Sequence, residues 1–135
     1  MAIERKFNQT QQEVINLLAD RFHTEPTEWH TRGNFTDCHG CDGYIFKSER
    51  AATRYIYGDG LQMFMDYCDG AATEEDWLNI LIKQGFTKRQ ASKVINEKNW
   101  KKVVRMMTQT AGPRFFLSEY SGQVNELSDG SLLYY

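Results

Sequence analysis

The sequence lacks any apolar run of about 18 residues, so we expect no segment that crosses a membrane. Its first ten residues, MAIERKFNQT, are polar and charged and lack the apolar stretch of a secretory signal. Cysteine is scarce and its count is odd, since there are three, which argues against a secreted framework of paired disulfides. Together these absences predict a protein of the reducing cytoplasm.

The sequence also lacks the short motifs that mark several common enzyme classes. It contains no G-x-S-x-G, no P-loop and no G-x-G-x-x-G. The acids at 74–76 are explained by their place at the start of a predicted helix, where the helix dipole favours negative charge. We therefore expect a protein that is not an enzyme, with a general base among the three histidines as an open alternative.

Charge is unevenly distributed along the chain. The 135 residues carry a net charge of −2. Residues 87–114 hold eight of the 16 basic side chains and one acid, whereas residues 51–86 hold six acids and two basic residues. A cluster of basic side chains in one segment is an electrostatic footprint that indicates a negatively charged partner.

Hydrophobic periodicity predicts an α+β fold, a single domain of residues 1–135. Thr10-Gln-Gln-Glu13 matches a capping box, which places the start of a helix over 10–23. Residues 48–110 predict a helical core of about five to six helices, opened by capping residues such as Thr73, Thr87 and Asn99.

Strands are expected on both sides of this helical core. A short N-terminal hairpin is predicted at 34–47, with strands at 34–37 and 43–47. In the tail the segments RFFLSEY, QVNEL and SLLYY alternate with turn signals, which predicts a three-stranded antiparallel meander over 114–135.

The turn of the N-terminal hairpin carries the stretch TDCHGCDGY, and its cysteines resemble a zinc knuckle. A structural zinc site needs four ligands, and a knuckle supplies two. His23 and His39 are further histidines of this region, and the zinc set that we consider comprises His30, Cys38, Cys41 and Cys68. The simpler interpretation is a glycine-rich turn with free thiols and no cofactor, with Cys68 packed in a core.

Two other interpretations of the cysteines fit the sequence poorly. A zinc deaminase signature would need a proline before the first cysteine, where Asp37 stands. A thioredoxin-type CxxC would need a helix start after the first cysteine, whereas a turn and a strand are predicted here. A small enzyme built around His30, Cys38 and Cys41 remains a third functional alternative.

The basic segment supplies the candidate partner-binding residues. They lie on the polar faces of two predicted helices at 87–107 and are Lys88, Arg89, Lys93, Lys98, Lys101, Lys102 and Arg105. A helix-turn-helix would use Ala91 as its small residue and residues 99–107 as its recognition helix, although Ile95 and Asn96 stand where a turn glycine is usual. The alternatives are contact with nucleic acid, contact with an acidic protein surface, and a solvated face that balances the acids at 59–76.

Two local resemblances accompany these patterns. Gly85-Phe86-Thr87-Lys88-Arg89-Gln90-Ala91 resembles the loop and second helix of ubiquitin-associated domains, which implies a three-helix packing at 77–107. The tail, FFLSEYSG followed by NEL and a final Tyr-Tyr, is similar to the C-terminal hairpin of small bacteriophage proteins. That resemblance implies a phage or mobile-element protein in a bacterial cytoplasm that binds and blocks a host protein or nucleoprotein complex, such as a nuclease-based defence system. A small DNA- or RNA-binding regulator is the alternative.

Overall fold

The computed structural model describes residues 7–30 and 33–135. It confirms the α+β class, since these residues form seven α-helices and a five-stranded antiparallel sheet. Two compact units are present: a helical unit, Arg50–Phe116, and a sheet unit made of the described part of residues 1–49 together with Leu117–Tyr135. The expected single domain of residues 1–135 stays a prediction.

The helical core predicted at 48–110 corresponds to five helices. They are α2 (Glu49–Tyr57), α3 (Leu61–Gly70), α4 (Glu74–Lys83), α5 (Lys88–Asn96) and α6 (Trp100–Ala111). The predicted caps Thr73, Thr87 and Asn99 each precede a helix and accept a hydrogen bond from its first turn. None of the helices in residues 7–30 and 33–135 has both the length and the apolar character needed to cross a bilayer.

The first helix begins earlier than the sequence predicts. Helix α1 (Gln9–Leu17) is capped by Asn8, whose Oδ1 accepts a hydrogen bond from Gln11 N at 2.8 Å, while Gln11 Oε1 accepts one from Asn8 N at 3.0 Å. The predicted box at Thr10 is therefore wrong, because asparagine is the stronger N-cap and stands two residues before it. A π-helical turn, Leu18–Phe22, continues α1.

The sheet joins the two ends of the chain. Its strands are β1 (Pro26–Trp29), β2 (Phe35–Asp37), β3 (Asp42–Phe46), β4 (Val124–Glu126) and β5 (Leu132–Tyr134), in the spatial order β1-β2-β3-β5-β4. The predicted hairpin at 34–47 is confirmed as β2 and β3. The sequence does not predict strand β1, because its exposed Thr27 and Glu28 give it the polar character of a sheet edge.

The predicted C-terminal meander is confirmed in its last two strands, and its first segment differs. Residues 114–117 form the short helix α7 (Arg114–Leu117), so a strand over RFFLSEY is wrong. Pro113 precedes this helix, and proline fits a first helical turn because it has no N–H to leave unpaired. The place of a third strand is taken by β3, which pairs with β5 through Ile45 and Leu133.

The core of the sheet unit lies between the first helical segment and one face of the sheet. Val14 and Leu18 pack there against Phe35, Leu133 and Tyr135, all of which are fully buried. The helical unit has its own core, which contains Trp77, Leu81, Ala91, Val94, Val103 and Met107.

Candidate functional site

The cysteine-containing stretch is a tight hairpin turn. Cys38, His39 and Gly40 form a three-residue loop between Asp37, which ends β2, and Cys41, which precedes β3, and a hydrogen bond from Asp37 N to Cys41 O at 2.8 Å closes the loop. Gly40 has a φ of +82°, the left-handed conformation that this loop type requires of its third residue. The sequence-based interpretation of a glycine turn agrees with this geometry.

A buried carboxylate holds the turn in place. Asp37 is only 2% exposed, and its Oδ1 accepts hydrogen bonds from the backbone N–H groups of His39 and Cys41, both at 2.8 Å. Its Oδ2 accepts a hydrogen bond from the hydroxyl of Tyr135, which is fully buried. Burial raises the pKa of Asp37, but these hydrogen bonds lower it by more, so the pKa lies below its ordinary value.

The Cys41 thiol beside this carboxylate is not activated. Burial, followed by the nearby carboxylates of Asp37 and Glu119, raises the pKa of the Cys41 thiol. The exposed Cys38 places its Sγ 3.2 Å from Thr24 Oγ1. A nucleophilic or redox-active cysteine needs a lowered pKa, which an electropositive neighbourhood supplies. The environment of Cys41 is electronegative instead, and it favours the neutral thiol.

The residues that the sequence offers as zinc ligands are not grouped around one site in the part of the chain that the structure describes. His30 Nε2 lies 3.0 Å from Thr36 Oγ1, which donates to Asp42 Oδ1 at 2.8 Å, so the imidazole must donate to the threonine oxygen. Cys68 is fully buried in the helical unit, where burial raises its pKa to about 12. Within residues 7–30 and 33–135, no three His, Cys, Asp or Glu side chains are grouped so that they could share a metal ion.

Six of the predicted basic residues lie on two neighbouring amphipathic helices, and Lys98 lies in the turn that joins these helices. Helix α5 packs against α4 and α6, and α6 packs against α3. Ala91, Val94, Val103 and Val104 are buried on the inner faces of α5 and α6. All seven predicted partner-binding cations are exposed, and none forms an ion pair with a carboxylate of the described residues. We call this set the basic surface: Lys88, Arg89, Lys93, Lys98, Lys101, Lys102 and Arg105.

The first turns of α5 and α6 carry charges that oppose their helix dipoles. Helix α4 begins with Glu74, Glu75 and Asp76, as the positive end of a helix dipole favours. Helices α5 and α6 have no acid in the first turn, and each has two cations there instead: Lys88 and Arg89, and Lys101 and Lys102. Each such placement costs about 0.3–1 kcal/mol at low salt, so helix stability does not explain these cations.

Lys98 occupies a backbone position that normally belongs to glycine. It follows the C-cap of α5 with a φ of +52°, and Asn99 N donates to Val94 O at 2.8 Å across it. This is the Schellman arrangement, in which the left-handed residue is usually glycine because a Cβ is strained there. The equivalent position after α4 is Gly85, with a φ of +102°. The basic surface therefore includes a lysine that disfavours its own turn.

Replacing Lys98 by glycine is expected to raise the free energy of unfolding by about 1 kcal/mol, because the left-handed strain is removed. Urea denaturation of the two proteins measures this difference. Lys93→Gly is the matched control, since it removes the same charge from the middle of α5 and should lower the free energy of unfolding by about 1 kcal/mol. A loss of stability in both variants would contradict the strain at Lys98.

No protein-family model, curated protein or solved structure matches this chain. What the chain binds is therefore inferred from its own residues and contacts. The resemblances to ubiquitin-associated domains and to phage hairpins stay predictions.

Proposed function

We propose that this chain is a non-enzymatic binding protein that uses the basic surface to attach to a negatively charged site on a host protein or nucleoprotein complex. The observation that carries the proposal is the set of seven exposed cations without ion-pair partners among the described residues. Four of them oppose a helix dipole and a fifth strains a turn. These residues violate the usual preferences for helix starts and turns, and they lower the stability of the fold. Such violations are expected on a surface that has a function.

The consequence of binding in this proposal is inhibition by occlusion. The similarity of the tail to hairpins of small phage proteins supports a phage or mobile-element origin and a bacterial cytoplasm as the place of action. A nuclease-based defence system, of the restriction or CRISPR type, is the target class that we propose. Such systems hold nucleic acid or bind it, so they offer the negative charge that the basic surface would contact.

Chemistry at the hairpin turn is not part of this proposal. The raised pKa of Cys41 keeps its thiol neutral, and the Nε2 proton of His30 is donated to Thr36. Neither group is prepared for nucleophilic attack or for proton abstraction through that nitrogen. The turn is better explained as a structural element held by Asp37.

The second candidate function is a small DNA- or RNA-binding regulator. It is favoured by the arrangement of α5 and α6, which are joined by only three residues and expose their cations along both helices. Lysine contacts to phosphates would bind many sequences with similar affinity and would weaken steeply with salt. The two candidate functions use the same basic surface and differ in the partner that binds to it.

Charge reversal of the basic surface tests both candidates. The variant Lys93→Glu, Lys98→Glu, Lys101→Glu and Lys102→Glu should lower affinity for duplex DNA at about 50 mM salt by tenfold or more, if the regulator hypothesis holds. The slope of log K against log salt should also become shallower by about 0.9 for each phosphate that the variant no longer neutralises. If the inhibitor hypothesis holds, the wild-type protein should allow phage to plate on cells that carry a restriction or CRISPR system. The same variant should lose this effect.

The matched control reverses four cations outside α5 and α6: Lys47→Glu, Arg50→Glu, Arg54→Glu and Lys83→Glu. All four are exposed, so the change in net charge is the same while the basic surface is preserved. Equal losses in both variants would indicate only a general effect of charge. Unchanged DNA binding and unchanged phage protection in a folded basic-surface variant would exclude this surface as the contact.

A further inference from the structure

Opposite charges are separated within the helical unit itself. Residues 59–76 contain six acids and no basic residue, whereas residues 88–105 contain seven basic residues and one acid. The first stretch covers α3 and the start of α4, and the second covers α5 and the first half of α6. Each stretch has 18 residues, and their net charges are equal in size and opposite in sign.

The acids form a second exposed surface. Asp66 and Asp69 on α3 and Glu74 and Glu75 on α4 are all exposed. Met63 and Tyr67 lie one helical turn apart on α3 and are 47% and 54% exposed. We call this set the acidic surface: Met63, Asp66, Tyr67, Asp69, Glu74 and Glu75.

The acidic and basic surfaces adjoin without neutralising each other. They meet where Trp100 Nε1, at the start of α6, donates a hydrogen bond to Asp69 Oδ1 at 2.9 Å. Beyond this bond between a neutral and an acidic side chain, the cations of the basic surface have no carboxylate partner in the described residues. Within the helical unit, the acidic surface and the basic surface therefore lie side by side with opposite charges.

We propose that the acidic surface binds the basic surface of a second copy of this chain. Charge complementarity favours this partner, because every copy presents both surfaces and the net charges of the two stretches match. Met63 and Tyr67 supply apolar area among the acids, and the aliphatic stems of lysines can cover it. The contact is heterologous, with a different surface on each copy, so it builds head-to-tail dimers and longer assemblies.

This inference goes beyond the proposed function and has a regulatory consequence for it. A copy that occupies the basic surface excludes any other negatively charged partner, so self-association and target binding compete. Because both contacts use exposed charges, salt screening weakens each of them. A polyanion such as heparin, added at low salt, is expected to dissociate the assemblies.

Sedimentation velocity of the full chain tests the proposal. At about 10 mM salt, where the Debye length is about 30 Å, the mean mass should rise with concentration, and at about 0.5 M salt it should be that of a monomer. An acidic-surface variant, Asp66→Lys, Glu74→Lys and Glu75→Lys, and a basic-surface variant, Lys98→Glu, Lys101→Glu and Lys102→Glu, should each remain monomeric alone. An equimolar mixture of the two should associate at low salt, because opposite surfaces are restored between different copies.

Each outcome decides the proposal. A wild-type chain that is monomeric at low salt and millimolar concentration overturns it, as do variants that still associate alone or a mixture that does not. If a variant fails to fold, judged by its thermal melting, the salt response of the wild type still decides. DNA binding separates this inference from the proposed function, since the acidic-surface variant should bind duplex DNA at least as well as the wild type.

Discussion

Replacing Asp37 by alanine is expected to lower the free energy of unfolding by about 3 kcal/mol. The substitution leaves the hydroxyl of the buried Tyr135 and the N–H groups of His39 and Cys41 without their acceptor. Each buried polar group that loses its partner costs about 1–3 kcal/mol, and the two backbone groups recover part of this through water because His39 is exposed. Chemical denaturation at neutral pH measures the loss.

Two variants separate the carboxylate from the turn in general. Asp37→Asn keeps an acceptor oxygen for the two backbone N–H groups and should cost clearly less than alanine. Asp129→Ala is the matched control, because Asp129 also accepts a hydrogen bond from a backbone N–H two residues on, Ser131 N at 2.9 Å, but it is exposed. A loss at Asp129 as large as that at Asp37 would contradict the role of burial.

The same carboxylate contributes to the acid limit of stability. The pKa of Asp37 is lowered in the folded state, so its contribution is fully present above the ordinary value of about 3.9 and is lost as the pH falls through the folded pKa. Burial raises the pKa of Tyr134 to about 12 and also raises that of Tyr135, so both tyrosines contribute stability that declines as the pH rises above about 10. Asp37→Asn should flatten the acid limb and also weaken the alkaline limb, because the hydrogen bond to Asp37 and its negative charge add to burial in raising the pKa of Tyr135.

The hydrogen bond between Asp37 and Tyr135 also shows a limit of prediction from the sequence. The turn itself was predictable, because Asp37, Gly40 and Gly43 are local signals of a hairpin. The hydrogen bond from Tyr135 to Asp37 that holds the turn was not predictable, since the two residues are 98 positions apart and no periodicity links them. The pairing of β3 with β5 is equally non-local, as it joins Ile45 to Leu133.

The other sequence-based predictions were right or wrong according to how local the interactions are that determine each feature. The caps at Thr73, Thr87 and Asn99 were predictable because a cap needs only its own first turn, and Asn8 was missed although it follows the same rule. The exposure of the seven cations followed from helical periodicity. The left-handed backbone at Lys98 did not, because lysine gives no sign of a position that normally requires glycine.

Replacing Gly43 by alanine is expected to lower the free energy of unfolding by about 1–3 kcal/mol, because the added methyl group overpacks the sheet. Gly43 on β3 pairs with Phe35 on β2, and the Phe35 ring lies directly over it. A Cβ added at Gly43 would lie 2.5 Å from Phe35 Cε1, 2.7 Å from Cε2 and closer still to Cζ. The ring cannot move freely, because it is fully buried and packs against Trp29 and Tyr135 with centroids 5.1 and 5.7 Å away.

A double-mutant cycle that combines Gly43→Ala with Phe35→Leu shows whether the ring is the cause. In the wild type the smaller side chain at position 35 should destabilise by leaving a gap. In the Gly43→Ala background, Phe35→Leu should lower the free energy of unfolding much less, which gives a favourable coupling of about 0.5–3 kcal/mol between the two positions. Gly70→Ala is the control of opposite sign, since a Cβ at this helical residue meets nothing within 4 Å and alanine favours helix by about 1 kcal/mol.

Additive effects at Gly43 and Phe35 would mean that the strand conformation, and not the ring above it, requires glycine. In that case the β2–β3 hairpin would depend on backbone freedom, and the buried face of the sheet would tolerate larger side chains than the structure implies. A favourable coupling would instead tie the choice of glycine on β3 to the aromatic ring that β2 contributes to the core of the sheet unit.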